Sequence, residues 1–219
     1  MFVPPEYQVG DPDRQRAVIR DNALAMLVSN GSGQPFITHL PVIFPLAGPM
    51  SGELVGTTLL GHLNRANPHW KALSDGCPAT LVFTGPHGYI SPEAYRVTPA
   101  APTWNFVSVH VRGTVHPIDG IDPTLDVIRQ TVATLESRFG KGWDPADSQE
   151  YFRRIVPAVG AFRFQVAAVD SMFKLSQEKS PDIQERVMDY FSAGGKQPVT
   201  DSMRAQGLGC GYATRGEKE

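Results

Sequence analysis

The stretch FVSVHVRGTVHPI, residues 106–118, alternates with a period of two: Val107, Val109 and Val111 are separated by Ser108, His110 and Arg112. Such alternation is the signature of a β-strand with one face in an apolar core. The valines are the core face. His110 and Arg112 then form either an outer polar face or a pocket wall. The outer face is expected for a monomer, and an interface between subunits is the other option.

Working outward, five more strands are expected. Residues 23–44, ALAMLVSNGSGQPFITHLPVIF, read as two strands about a glycine-rich turn. Residues 52–62, 77–85 and 160–170 supply the third, fourth and sixth. Helices are expected where start signals precede apolar periodicity. Asp11 and Pro12 open the first. Asp122 and Pro123 open a longer one, whose face is Leu125, Ile128, Val132, Leu135 and Phe139. Shorter helices are expected near Asp147–Ile155 and from Ser180 and Pro181. Because helices are inserted late rather than one per strand, the pattern favours an antiparallel sheet closing into a small barrel over a parallel doubly wound sheet. The expected fold is mainly β (α+β), a six-stranded antiparallel barrel with peripheral helices. Residues 1–193 form its domain, and residues 194–219, glycine-rich and without apolar periodicity, are expected to be a flexible tail.

Composition narrows the function. The formal net charge is -2, which gives no reason to expect a nucleic-acid partner. Cys77 and Cys210 form no CxxC, so neither a disulfide framework nor a zinc site is implied, and a reducing cytoplasm fits. The N-terminus lacks the order of a signal peptide, and no apolar run approaches ~20 residues, so no membrane partner is expected. GxGxxG after a first strand, GxxxxGK[ST], HExxH and GxSxG are all absent.

What remains are polar clusters at strand ends. The first is GHLNRANPHWKAL, residues 61–73. His62 is either a hydrogen-bonded corner residue or a ligand reaching into the barrel mouth. Arg65 offers a planar fork to a carboxylate or phosphate. Asn67 is read as the cap of a helix beginning at Pro68. The second, residues 83–106, is read as a stiff loop rich in proline and glycine. Tyr89, Tyr95, Trp104 and Asn105 in it either line a planar ligand's pocket or plug the barrel end. In the third, MFKLSQEKS at 172–180, Lys174, Ser176 and Gln177 precede a helix start and can hold an anion; Lys179 is read as a solvated turn residue.

The segments HLNRANPHW, GPHGYISPEAY, PTWNFVSVHVRG and FKLSQEKS, in this order and spacing, resemble the PaiB-like family of FMN-binding split barrels. The resemblance runs from the N-terminus to about Phe191. It implies a split barrel and a homodimer with the cofactor site at the subunit interface. Ordinary members read HxARANPQW, SPSWY, VPTWNY and KLSQNR. The variants in this chain look like the haem-dependent piperazate synthases, which cyclise N5-hydroxy-L-ornithine to L-piperazic acid with loss of water. That branch implies haem b, with FMN as the alternative cofactor and an FMN-binding negative transcriptional regulator as the alternative function. Under it, His62 is the expected iron ligand and His39 the runner-up. His87 and His69 are pocket candidates, and His116 is read as structural. Arg65 and Lys174 are the expected propionate partners, with Arg112 a further candidate. Asn67, Trp104, Ser176 and Gln177 complete the expected cofactor site.

Overall fold

The structure is a computed structural model, and it describes residues 1–209. Six strands form a closed barrel in the order β1-β2-β3-β6-β5-β4. They are β1 (Leu24–Ser29), β2 (Phe36–Ile43), β3 (Thr58–Asn64), β4 (Cys77–Ile90), β5 (Thr103–Ile118) and β6 (Val159–Lys174). The pairings β1–β2, β1–β4, β2–β3 and β3–β6 are antiparallel. Among the described residues six α-helices accompany them: α1 (Pro12–Asp21), α2 (Pro68–Ala72), α3 (Ile121–Phe139), α4 (Gln149–Ile155), α5 (Pro181–Ala193) and α6 (Gln197–Ala205). Among the described residues, no helix is long and apolar enough to cross a membrane.

The alternation of β5 is borne out: Val107, Val109 and Val111 are at most 1% exposed, whereas His110 is half-buried and Arg112 exposed. The strand β4 runs further than its sequence suggested. Gly85, Pro86 and Gly88 hide it, yet it continues to Ile90, so the expected loop begins only at Ser91. Glycine is required there. A Cβ at Gly88 would stand 2.4 Å from the ring of Phe191.

The chain divides into two compact units. One comprises Gly10–Phe83 and Val109–Asp170. There α3 covers the outer barrel face: Val127 and Leu135 pack with Ile43, Leu60, Ile118 and Ala161. Leu125, Ile128 and Val132 form a second cluster with Phe152, Val156 and Val159. The expected face of α3 is therefore the buried one up to Leu135, while Phe139 emerges, 56% exposed. Asp11 caps α1 by accepting from the Asp13 and Arg14 backbone N–H groups.

Among the described residues, the other unit comprises Met1–Val9, Thr84–Ser108 and 171–209. It corrects the expectation of a flexible tail after Gly194. Residues Gln197–Ala205 are the helix α6, and its Val199, Thr200 and Met203 are buried. Thr200 Oγ1 donates to the Met188 carbonyl at 3.1 Å, and Asn105 Nδ2 donates to Met203 Sδ at 3.6 Å. Residues 210–219, the remainder of that expected tail, lie outside the described residues. Since Met203 is fully buried, Met203→Ala is expected to lower stability by ~2–5 kcal/mol, the range for deleting a large buried side chain. Urea unfolding measures it, and a loss below ~1 kcal/mol would restore the flexible tail.

Candidate functional site

The seven expected cofactor residues fall into two groups. His62, Arg65 and Asn67 lie in the barrel unit; Trp104, Lys174, Ser176 and Gln177 lie in the other.

His62 pairs across the sheet with Ala161, and facing residues of an antiparallel pair share a face. Ala161 and Leu60 both pack under Val127 of α3. His62 therefore stands on the outer face, not in the barrel mouth as expected. Leu59, Gly61 and Leu63 take the inner positions, and a Cβ on Gly61 would meet the Phe162 ring at 2.4 Å. The His62 side chain has no hydrogen-bond partner among the described residues: its Nδ1 is buried and unpartnered. Burial also pushes its pKa below the usual histidine value, so the imidazole is neutral near pH 7.

The corner after β3 is built by local bonds. Arg65 Nε donates to the Val159 carbonyl at 2.7 Å, and the guanidinium lies 5.3 Å from the Trp70 ring centroid. Its Nη groups have no acidic partner among the described residues. Asn67 Oδ1 accepts the His69 N–H at 2.9 Å, so Asn67 caps α2 as expected. Its Nδ2 donates to Thr38 Oγ1.

His69 is structural rather than a pocket residue. It is 1% exposed, stacks on Phe36 and bonds Ser29 Oγ and Thr38 Oγ1, both at 2.9 Å. Burial lowers its pKa as it does for His62. An unfolded histidine takes a proton near pH ~6.5. Between that value and the lower folded one, only the unfolded chain binds the proton, so stability falls as pH drops. Melting temperature is expected to decline from pH 7.5 to 5.5, and less steeply in His69→Gln. Equal slopes in the two proteins would contradict this source.

Of the remaining histidines, His110 is half-buried on β5, and burial lowers its pKa. His116 is bonded to Asp75 Oδ1 at 2.7 Å and Thr114 Oγ1 at 3.0 Å. His39 is exposed on β2. His87 Nδ1 bonds the Gly85 carbonyl at 3.2 Å. Arg112, a candidate cation, is ion-paired with Asp170 at 3.3 Å. Among described residues, no three His, Cys, Asp or Glu converge on a bare metal ion.

In the second group, Trp104 is 51% exposed and meets Tyr89 edge-on at 5.9 Å between centroids, with His87 at 6.1 Å. These three rings present an exposed aromatic surface. Lys174 Nζ donates to Thr103 Oγ1 at 2.6 Å and has no acidic partner among the described residues. Ser176 and Gln177 are committed elsewhere. Ser176, at φ 67°, is buried and donates to Asn105 Oδ1 at 3.1 Å. Gln177 folds back on its own strand end, accepting the Leu175 N–H at 2.6 Å and donating to the Phe173 carbonyl. Both shape the turn rather than face a ligand. Lys179 is more than a solvated turn residue: its Nζ stands 5.3 Å from the Tyr95 ring centroid. The Tyr95 hydroxyl is buried without a partner.

A family model described as "Putative FMN-binding domain" matches residues 1–168. The protease synthase and sporulation protein PAI 2 of Bacillus subtilis is 25% identical over 187 residues, covering 82% of this chain and 84% of that protein. The FAD and heme binding protein from Mycobacterium smegmatis aligns with a TM-score of 0.55 at 15% identity, over 83% of this chain and 80% of that one. The flavocytochrome Anf3 from Azotobacter vinelandii aligns with a TM-score of 0.51 at 17% identity, over 76% and 69%. At these identities the two structures show a shared fold.

Proposed function

The chain belongs to this FMN-binding domain family of split barrels, and from that premise we propose that it is a haem-dependent piperazate synthase. It would cyclise N5-hydroxy-L-ornithine to L-piperazic acid as a cytoplasmic homodimer. The observation that carries the reading is His62: it is the one described histidine with a buried, unpartnered ring nitrogen. A buried polar atom without a partner costs about 1–3 kcal/mol, and coordination removes that cost. An iron held through one imidazole must bring its other ligands with it, as a porphyrin does.

The residues fit such a group. His62 offers a neutral imidazole, the form that binds metal. Arg65, in the same unit as His62, offers a cation without an acidic partner to a propionate or to the substrate carboxylate. When bound, a haem iron would supply Lewis acidity toward the hydroxylamine oxygen. In the reaction the N–O bond breaks, the α-amine forms the N–N bond, and the oxygen leaves as water. No external electrons are required.

A second reading, an FMN-binding PaiB-like negative transcriptional regulator, is supported by the similarity to PAI 2. Arg65 would then hold the flavin phosphate. Incubation of the purified protein with N5-hydroxy-L-ornithine separates the two. The first reading expects a product one water lighter than the substrate. An unchanged substrate with FMN released on heating supports the second.

A further inference from the structure

An antiparallel sheet with one face in the core ordinarily keeps its outward positions polar, and the neighbouring strands β2, β1 and β4 do not. On β1, Ala25 and Leu27 are fully buried and Ser29 is 5% exposed, so these three point inward and Leu24, Met26 and Val28 point outward. Register carries that outer face across both neighbours. Leu24 stands opposite Pro41, Met26 opposite His39 and Val28 opposite Ile37 on β2. On the other side Met26 meets Val82 and Val28 meets Thr80 on β4. Six of these eight outward positions are apolar, and none carries a carboxylate, an ammonium or a guanidinium.

The face lies wholly in the barrel unit and is left open there. Ile43, at the end of β2, is buried under Val127 of α3, whereas Ile37 is 57% and Leu24 68% exposed. Its chemistry selects an occupant. A closed barrel offers no free edge to an added strand, and a sheet face offers no groove to a helix. An anionic membrane surface or a nucleic acid is drawn by lysine and arginine, and this face has neither. A second copy of the same face meets no like charge. An uncharged apolar surface is complementary to itself, which a two-fold interface requires.

We propose that the outer face of β2, β1 and β4 is the apolar centre of the homodimer interface, with the sheets of two copies stacked face to face about 10 Å apart. Its eight positions supply about a third of the ~20–30 residues that a stable interface uses on each side, and a polar rim supplies the rest. The proposal gives a place to the homodimer of the reading above, on which it rests, and it holds for either cofactor.

Sedimentation equilibrium of the full-length protein tests it. The wild type is expected to be a dimer. Leu24→Lys with Ile37→Lys is expected to weaken the dimer at least ~100-fold, since the two-fold axis brings four lysines into one apolar contact. Both side chains are exposed in the single chain, so the double variant is expected to keep the circular dichroism of the wild type. Leu24→Lys alone is expected to act in the same direction. Tyr151→Lys is expected to stay dimeric: it places the same charge at a 51% exposed aromatic on α4, which packs on Val159 of β6, three strands around the barrel from β1. A monomeric wild type, or lysine variants of Leu24 and Ile37 that dissociate no more than Tyr151→Lys, would overturn the proposal. The cofactor reading fails separately: a monomer with a Soret band removes only the interface, and a dimer carrying flavin removes only the haem.

Discussion

Arg16→Met is expected to lower the stability of the protein by ~3 kcal/mol. Arg16 sits on α1, is 0% exposed and has its guanidinium spread over three carbonyls: Nε to Gly52 at 2.7 Å, Nη1 to Pro49 at 3.1 Å and Nη2 to Glu53 at 3.0 Å. Its Cζ also lies 4.9 Å from the Phe44 ring centroid. Hydrogen bonds to a charged donor contribute roughly 1.5–3 kcal/mol each. The full sum is not expected, because Pro49, Gly52 and Glu53 are exposed and water can replace part of the loss. Methionine restores apolar volume but no donor. Arg16→Lys should recover little, since an ammonium cannot reproduce the planar fork. Urea unfolding of the two variants measures the effect. A loss under ~1 kcal/mol in Arg16→Met would mean that the loop before β3 holds itself.

The second large effect is expected at His62. His62→Ala should leave the protein folded, because the side chain makes no hydrogen bond whose loss would be felt. Removing a buried nitrogen without a partner should even spare its desolvation cost, offset by the small cavity left behind. Function should respond quite differently: the variant should purify without haem and form no piperazic acid. His39→Ala, altering an exposed side chain on β2, should keep both. If His62→Ala retained the cofactor and activity while His39→Ala lost them, the ligand would be His39.

How far the sequence carried the fold can be followed element by element. The alternation of Val107, Val109 and Val111 located β5, and Asp11-Pro12 and Asn67-Pro68 located two helix starts, because these signals act over a few residues. The end of β4 was hidden because Gly85, Pro86 and Gly88 are turn residues by composition. Only the packing of Val107 and Phe191 over the two glycines explains them. The helix α6 was missed because it has glycines on both sides and few apolar positions. Its stability comes from α5 and Asn105, partners distant in sequence.

The candidate site was legible in residue type but not in direction. His62, Arg65 and Lys174 could be selected as groups suited to iron and anions. The face of β3 on which His62 stands depends on its pairing with Ala161, which no local pattern encodes. Ser176 and Gln177 looked like anion ligands, yet their side chains are used within the turn and by Asn105. Arg16 carried no signal, since its role arises from a loop assembled by folding.

The absorption spectrum of the wild-type protein as purified tests the central claim most directly. A haem held through His62 predicts a Soret band that disappears in His62→Ala. Flavin absorption in the wild type without a Soret band would contradict the haem reading and leave the FMN-binding regulator in its place.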